Sequence, residues 1–450
     1  MPNHYKIKRG LDIKIIGEAE KITNELKAEA YALKPIDFIA VFPKPLVKEG
    51  EKVKAGSPVF FDKYRDNIQF TAPVSGTVTE IKRGPKRVLL EIIIEPDKQD
   101  AYEDFGKADP KDLSREAIVE KMLKSGVWPM IRQRPYSIIA DPKDDPKAIV
   151  IPGFDSSPLA PDYDYIVHGN GKEFQTGLDA LTKLTSGKIY LNLPEGQGHS
   201  KVFTNSSNVE INYFDGPHPA GNVSTQINRI DPINKGDIIW YLRPQEVINI
   251  GKLFLNGKYD ASRLIALSGS EVKKTGYYKT RLGACIEKMV EGNTTDVHKR
   301  YISGNVLTGQ KIDKIGFISY YDYQVTVVPE GDDYEFFGWA APGFKKFSFY
   351  NTFASKLFPK KGGYRLNTNL HGGRRAFVLT GHYEKVFPLD IYPMQLIKAI
   401  MVEDIDLMEN LGIYEVDEED FALCEFIDIS KTQMQKVIRE GLDMMRKEMT

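Results

Sequence analysis

At 450 residues the chain is too long for one hydrophobic core, so roughly two to four domains are expected. Its formal net charge of −1 excludes the strong basic excess of a nucleic-acid binder, while 41% hydrophobic and 27% charged residues are ordinary for a globular protein. Two cysteines, Cys285 and Cys424, exclude a four-cysteine iron–sulfur site and a disulfide framework in this chain and fit a reducing compartment.

The opening residues run into Ile7-Lys8-Arg9-Gly10-Leu11-Asp12 without an apolar signal-like core, so no secretory leader is expected. Nor is there an apolar run of about 18 residues, so no spanning helix is expected and a partner would have to hold the chain at any membrane. From Ile36 to Glu95 the pattern is short β runs punctuated by Gly and Pro: Ile36 to Phe42, Pro58 to Phe61, Phe70 to Ile81 and Val88 to Ile94. The basic Lys82-Arg83-Gly84-Pro85-Lys86-Arg87 reads as a solvated hairpin. The phrases Val47 to Val53 and Thr71 to Val78 resemble the biotinyl/lipoyl carrier fold, in which a hairpin lysine carries the cofactor. Lys63 is the candidate here, but it stands ten residues before Pro73, which predicts a longer hairpin and a reused fold without a swinging arm.

Asp100 to Asp112 is polar and acidic, as in a linker. Leu113 to Leu123 has helical spacing with Ser114 as N-cap. Strands are expected at Ser137 to Ala140, Ala148 to Ile151, Lys188 to Leu193 and Val209 to Phe214, and helices at Phe174 to Leu184 and Arg243 to Leu255. That alternation points to an open, largely parallel, Rossmann-like sheet. From about Gly257 to Gly309, strand, turn, strand and a short helix from Ala284 to Val290 resemble the small β-grasp module of respiratory dehydrogenases. Tyr320 to Val328 reads as a further strand. Met394 to Leu411 carries one apolar helical stripe stopped by Gly412, and Ser430-Lys431-Thr432-Gln433 reads as a capping box opening a last helix. The expected organisation is α/β and α+β multidomain: a carrier-like β domain within 1–100, a Rossmann-like domain at 101–256, a β-grasp, SLBB-like module at 257–340 and a helical domain at 341–450. No internal repeat is present.

Several chemistries are missing. The nearest approach to a dinucleotide fingerprint, Gly169-Asn170-Gly171-Lys172-Glu173-Phe174, has Phe174 where close helix–strand packing needs glycine. There is no Walker A sequence, no Gly-x-Ser-x-Gly elbow, no spaced His/Cys metal set and no carboxylate cage for Na⁺, so catalytic and metal residues are expected to be absent. What stands out is Gly216-Pro217-His218-Pro219-Ala220-Gly221, whose prolines and glycines fix an unusual backbone path suited to a rigid contact surface. His218 has two readings: a proton donor to a bound ligand, or a ring that hydrogen-bonds locally and shapes the loop. Phe336-Phe337-Gly338-Trp339 through Phe344 is either an apolar stacking surface for a ring ligand or partner, or a core-packed loop. Arg281, beside Gly283, could face an acidic partner.

In order along the chain, Ile7 to Asp12, Phe70 to Val88, Phe154-Asp155-Ser156-Ser157-Pro158-Leu159-Ala160-Pro161-Asp162, the Gly216 to Gly221 loop, Thr280-Arg281-Leu282-Gly283-Ala284, Ile302 to Gly309, Phe337-Gly338-Trp339, Pro388-Leu389-Asp390-Ile391 and Asp417 to Cys424 resemble the A-subunit family of bacterial sodium-translocating NADH:quinone oxidoreductases. After Cys424 the chain departs from the family, with Phe426 to Lys431 in place of a Cys-Pro-Gly-Lys-Tyr-like phrase. The resemblance implies a peripheral subunit on the cytoplasmic face of the inner membrane, docked on the membrane-embedded B subunit of a six-subunit pump. In such a pump NADH, FAD, FMN, riboflavin, Fe–S centres and quinone serve other subunits, quinone is reduced nearby, and the A subunit is not catalytic on its own. It makes Gly216, Pro217, His218, Pro219, Gly221, Arg281, Phe337, Trp339 and Phe344 candidates for the quinone side or for partner docking, with a reduced quinone as the ligand of a proton-donating His218 and a quinone ring as that of the Phe336 to Phe344 surface. The alternative is a subunit of a related electron-transport complex, like the complex I flavin subunit or the Rnf C subunit, with its own nucleotide or quinone site.

Overall fold

The computed structural model describes residues 2–449 apart from Asp333, Tyr334, Trp339, Pro359 and Leu379. The N-terminal unit is two facing sheets. One has the order Tyr31–Leu33, Leu89–Pro96, Gly76–Arg83, Lys52–Val53; the other has Pro43–Pro45, Pro58–Asp62, Arg65–Thr71. Their inner faces alternate apolar residues, and the rings of Phe60 and Phe70 stack at 4.3 Å between centroids. Lys63 and Tyr64 form an exposed two-residue turn in which buried Asp62 accepts from the Tyr64 amide (3.3 Å) and the Arg65 guanidinium (3.0 Å). The hairpin is thus short, not long as expected, but its tip is fastened to the body by Lys63 N–H to Phe42 O (2.8 Å) and by Arg65 to Ile139 O (3.0 Å).

The central unit is a seven-stranded sheet in the order Asn3–Lys6, Glu210–Asp215, Lys188–Pro194, Ala148–Pro152, Ile239–Tyr241, Arg132–Arg134, Ile138–Ile139. Its first five strands pair in parallel and the last two are antiparallel. Ala148–Pro152 is buried on both faces, which is why it reads as an unbroken apolar run. Ile149 and Ile151 face the helices Arg115–Ser125, Gly171–Leu181 and Pro244–Asn256. Ala148 and Val150 face the C-terminal helices, so the tail covers the second face of this sheet. The Arg115–Ser125 helix starts where Ser114 Oγ accepts from Ala117 N–H and ends at Gly126 in the left-handed region (φ 79°), with no room for a Cβ against Thr71.

The third unit is a six-stranded sheet, Gln310–Ile312, Lys299–Ser303, Gln324–Pro329, Ser262–Ser268, Gly276–Arg281, Thr23–Glu25. Its edge strand comes from the N-terminus. Residues 3–25 therefore run as a strap: Asn3–Lys6 joins the central sheet, Leu11 N–H bonds His218 O (2.8 Å), Gly269 N–H bonds Gly17 O (2.8 Å), and Thr23–Glu25 joins the third sheet.

Four local expectations change. Ile36 to Phe42 is not a strand, because Pro35–Asp37 turns and buried Asp37 accepts from the Tyr320 amide (2.8 Å). Tyr320 to Val328 becomes a strand only from Gln324, the preceding tyrosines packing their rings inward with Tyr320 at 4.7 Å from Phe38. Met394 to Leu411 is two helices, Pro393–Met401 and Ile405–Asn410. Glu403 is left-handed (φ 57°), and Asp404 caps the second helix through Leu407 N–H. The last helix spans Met434–Met449, not from Ser430. Buried Asp428 accepts from the Ser430 (3.0 Å) and Thr432 (2.7 Å) amides, holding that stretch as a turn.

Candidate functional site

In a parallel sheet ligands bind beyond the strand C-termini, where the strand order reverses. Here the chain leaves the central strand Ala148–Pro152, builds outward through Lys188–Pro194 and Glu210–Asp215, then returns to its other side with Ile239–Tyr241. The crevice at that point is polar. Asp155 and Ser157 follow the central strand, Arg243 follows Ile239–Tyr241, and His218 and Asn222 come from the Pro/Gly loop after Glu210–Asp215. Asn305 and Thr308 of the third unit and Glu419 of the tail close it, leaving a cavity of about 40 Å³.

The loop is built by close approach. A Cβ on Gly216 (φ 138°) would lie 2.2 Å from Ile7 O. Gly221 N–H donates to Ser156 Oγ (2.8 Å), and the same hydroxyl lies 3.0 Å from His218 Nδ1. Asp12 accepts from the His218 amide (2.9 Å), while Pro217 O and Pro219 O accept from Ala220 and Asn222 N–H (2.9 Å each). His218 is buried, and that burial pushes its imidazole down to about 4, with Asp155 and Asp12 opposing. A neutral ring can accept at Nδ1 from the Ser156 hydroxyl, and at pH 7 it carries no proton to give as imidazolium. Because the folded value lies below the ordinary one, stability from this group is complete above pH ~6.5 and lost as pH falls towards 4.

Arg243 donates to Tyr321 O (2.9 Å) and stands 5.4 Å from the Tyr323 ring centre. Burial opposes its charge, but Tyr163 and Asp155 outweigh burial and hold the guanidinium protonated. Ser157 Oγ, in a buried residue, has no hydrogen-bond partner among the described residues. Beneath the loop an amide ladder crosses the sheet: Asn3 donates to Asn212 (3.2 Å), Asn212 to Asn192 (3.1 Å) and Asn192 to Gln226 (2.9 Å). Sequence reasoning missed this ladder, Arg243 and the role of Ser156. Only the Phe154 to Asp162 phrase hinted at the last.

Glu419 belongs to a buried ion network. Arg134 Nη1 lies 3.0 Å from Asp417 and Nη2 3.0 Å from Glu419, Ser137 donates to Asp417 (2.7 Å), and Asn222 donates to Asp420 (3.2 Å). Burial would raise Asp417, but Arg134 and then Arg439 hold its carboxyl below the usual range. Glu418 is pushed up to about 7 by burial and then by Asp417. A carboxyl raised on folding costs stability as pH climbs from the unfolded pKa of ~4.3 to the folded one. Glu418→Gln is therefore expected to match the wild type near pH 4.5 and to be the more stable of the two at pH 8. Melting curves at both pH values check this, and a pH-independent difference would refute it.

The other candidates lie apart from the crevice. Arg281 grips Asp100 with both Nη atoms and the Tyr102 hydroxyl with Nη2, tying the third unit to the segment after the N-terminal sheets. Phe337 and Phe344 are 58% and 61% exposed, so they belong to a surface and not to a packed core. Trp339 lies outside the described residues. Phe174 is buried against Phe203 (5.6 Å) in a helix that follows another helix, so the Gly169 to Phe174 phrase is not a strand-to-helix turn. Among the described residues no group of three or more His, Cys, Asp or Glu could hold a metal ion, and no helix is long and apolar enough to cross a membrane.

These units define a mixed α/β protein made of a barrel-sandwich unit, an α/β unit and an SLBB unit, with a helical tail closing the α/β unit's crevice. Family descriptions match in the same order: "NqrA N-terminal barrel-sandwich hybrid domain" over residues 5–97, "NqrA second alpha/beta domain" over 113–259 and "NQRA C-terminal domain", of SLBB type, over 264–314. The chain is 37% identical over 449 residues to the A subunit of the Na(+)-translocating NADH-quinone reductase of Yersinia pseudotuberculosis, covering 98% of this chain and 99% of that one. It is 36% identical over 447 residues to that of Hahella chejuensis, covering 98% and 99%. The chain belongs to the A-subunit family of Na⁺-translocating NADH-quinone reductases. Among solved structures, an air-oxidized NAD⁺-reducing [NiFe]-hydrogenase is similar over 50% of this chain and 48% of its own, at 13% identity and a TM-score of 0.36.

Proposed function

We propose that this chain is the peripheral subunit of a membrane-bound, sodium-translocating NADH:quinone oxidoreductase, docked at the cytoplasmic face on the membrane-embedded B subunit and carrying no redox cofactor of its own. NADH, the flavins, Fe–S centres and quinone then serve the other subunits, and quinone is reduced close by. The observation that carries this reading is the end-to-end match to A-subunit relatives. The crevice supports it: about 40 Å³ is far below the roughly 300 Å³ at which small-molecule pockets begin, because the Pro217-His218-Pro219 loop, the third unit and the tail fill the place a nucleotide would take. That filling disfavours the alternative of a complex I- or Rnf C-like subunit with its own nucleotide site. We read the parallel sheet as Rossmann-like, the N-terminal sheets as carrier-like without a swinging arm, and the units as 1–100, 101–256, 257–340 and 341–450.

The test is an affinity pull-down of the tagged chain from detergent-solubilised membranes, assayed for Na⁺-stimulated, NADH-driven quinone reduction. Co-purifying activity is the expected result; a lone, inactive chain under conditions that keep such complexes intact would overturn the reading. His218 is read as a shaping residue, so His218→Ala is expected to reduce the amount of assembled complex and leave quinone reduction per complex near wild type. Normal assembly with abolished reduction would favour the proton-donor role instead.

A further inference from the structure

The tail carries a second cavity, of about 270 Å³, open at the surface and lined by Arg374, Arg375, Phe377, Met401, Lys431 and Gln433. Among the described residues none of the three cations is in an ion pair; the acid that acts on Lys431, Asp428, is fully buried and engaged by Tyr383, Ser430 and Thr432. The setting is unusual for a chain of net charge −1. From Phe336 to Tyr383 the sequence holds eight Lys and Arg and no Asp or Glu. Within that stretch Lys346 and Arg365 are spoken for by Glu335 and Glu271, whereas the two arginines of the cavity are left facing solvent.

Exposed apolar side chains share the surface with these cations. Met401 is 46% exposed, and the neighbours Val402, Ile429 and Val378 are 71%, 51% and 44% exposed. Unpaired cations beside exposed apolar side chains match a phosphate headgroup whose acyl chains begin next to it. The geometry points to the Arg374–Arg375–Lys431 groove as a seat for the phosphate of an anionic phospholipid, by which this chain touches the bilayer surface directly. The inference goes beyond the pump assignment and does not rest on it, because lipid binding is read on the isolated full-length chain.

The experiment is flotation of the full chain with vesicles of phosphatidylglycerol and phosphatidylethanolamine, beside vesicles of phosphatidylcholine alone, at low and high salt. Binding is expected on the anionic vesicles only and is expected to weaken with salt. The triple variant Arg374→Gln/Arg375→Gln/Lys431→Gln is expected to lose partitioning on the order of 100-fold, at about a factor of five per surface cation. A matched variant, Arg83→Gln/Lys86→Gln/Arg87→Gln on the exposed N-terminal hairpin, removes the same charge and is expected to bind as the wild type does. No flotation, or equal loss in both variants, would overturn the proposal. So would absent flotation combined with failure of the groove variant to co-purify with the membrane subunits, which would give the groove to an acidic protein segment.

Discussion

Replacing Arg134 with Met is expected to destabilise the fold by about 3–5 kcal/mol, the cost of leaving a buried charge without its partner. Arg134 is 2% exposed and meets Asp417 and Glu419, with its guanidinium 5.1 Å from the Tyr241 ring centre. Burial works against its charge, and Asp417 above all outweighs burial and raises its affinity for the proton. With Arg134 gone, Asp417 keeps Ser137 and a distant Arg439 (3.8 Å), while Glu419 faces the crevice with no cation from Arg134. At roughly 2–4 °C per kcal/mol for a unit of this size, the melting temperature should fall by roughly 6–20 °C. The defect also has a sign in pH. The orphaned carboxyls take raised pKa values in the folded state, so the loss grows as pH rises from 5 to 8 and shrinks on acidification. Hydrogen exchange should speed first in the helix Met434–Met449, whose Arg439 meets Asp417, and in Pro393–Met401 packed against it. Arg134→Met/Asp417→Leu should recover part of the loss. A change below 1 kcal/mol in the single variant would show that the network contributes little to docking the tail.

Local rules made some of this legible. Ser114 and Gly126 bracket a helix because capping and left-handed termination act within a few residues. The run Ala148–Pro152 declares a doubly buried strand by composition alone. The density of Pro and Gly in Gly216 to Gly221 marked the loop that now fills the crevice. What stayed hidden depends on partners distant in sequence. The amide ladder joins Asn3 to Asn212 and Asn192 to Gln226, and no local pattern announces it. The acidic phrase Asp417 to Asp420 was visible, but its meaning required Arg134, brought to it only by the tail folding back over the sheet. The apolar stripe from Met394 to Leu411 misled for a related reason. Both short helices bury residues in the same core, so the periodicity survives the break at Glu403.

The second large effect is expected at Gly251. The helices Gly171–Leu181 and Pro244–Asn256 cross backbone to backbone: a Cβ on Gly251 would lie 1.8 Å from Glu173 O, and one on Gly177 would lie 2.1 Å from Val247 O. Neither neighbour is a flexible side-chain end, so the helices themselves must separate. Gly251→Ala should cost about 3 kcal/mol, the upper end for an overpacked core, and Gly251→Val should prevent recovery of soluble chain. Gly171→Ala in the partner helix, whose nearest atom would be 3.9 Å away, is the control and should be neutral or stabilising by about 0.5–1 kcal/mol. The consequence reaches the third unit, because Gln245 exchanges two hydrogen bonds with Leu264 (2.9 and 2.8 Å) and Asn249 donates to the carbonyls of Asp260 and Ser262. The same helix begins beside Arg243, which lines the crevice. Gly251→Ala should therefore loosen hydrogen exchange in the strand Ser262–Ser268 and around Arg243 as well as in the two helices. If exchange changed only within the helices, this helix would not carry the coupling between the central and third units, and the crevice would owe its closure to the loop and the tail.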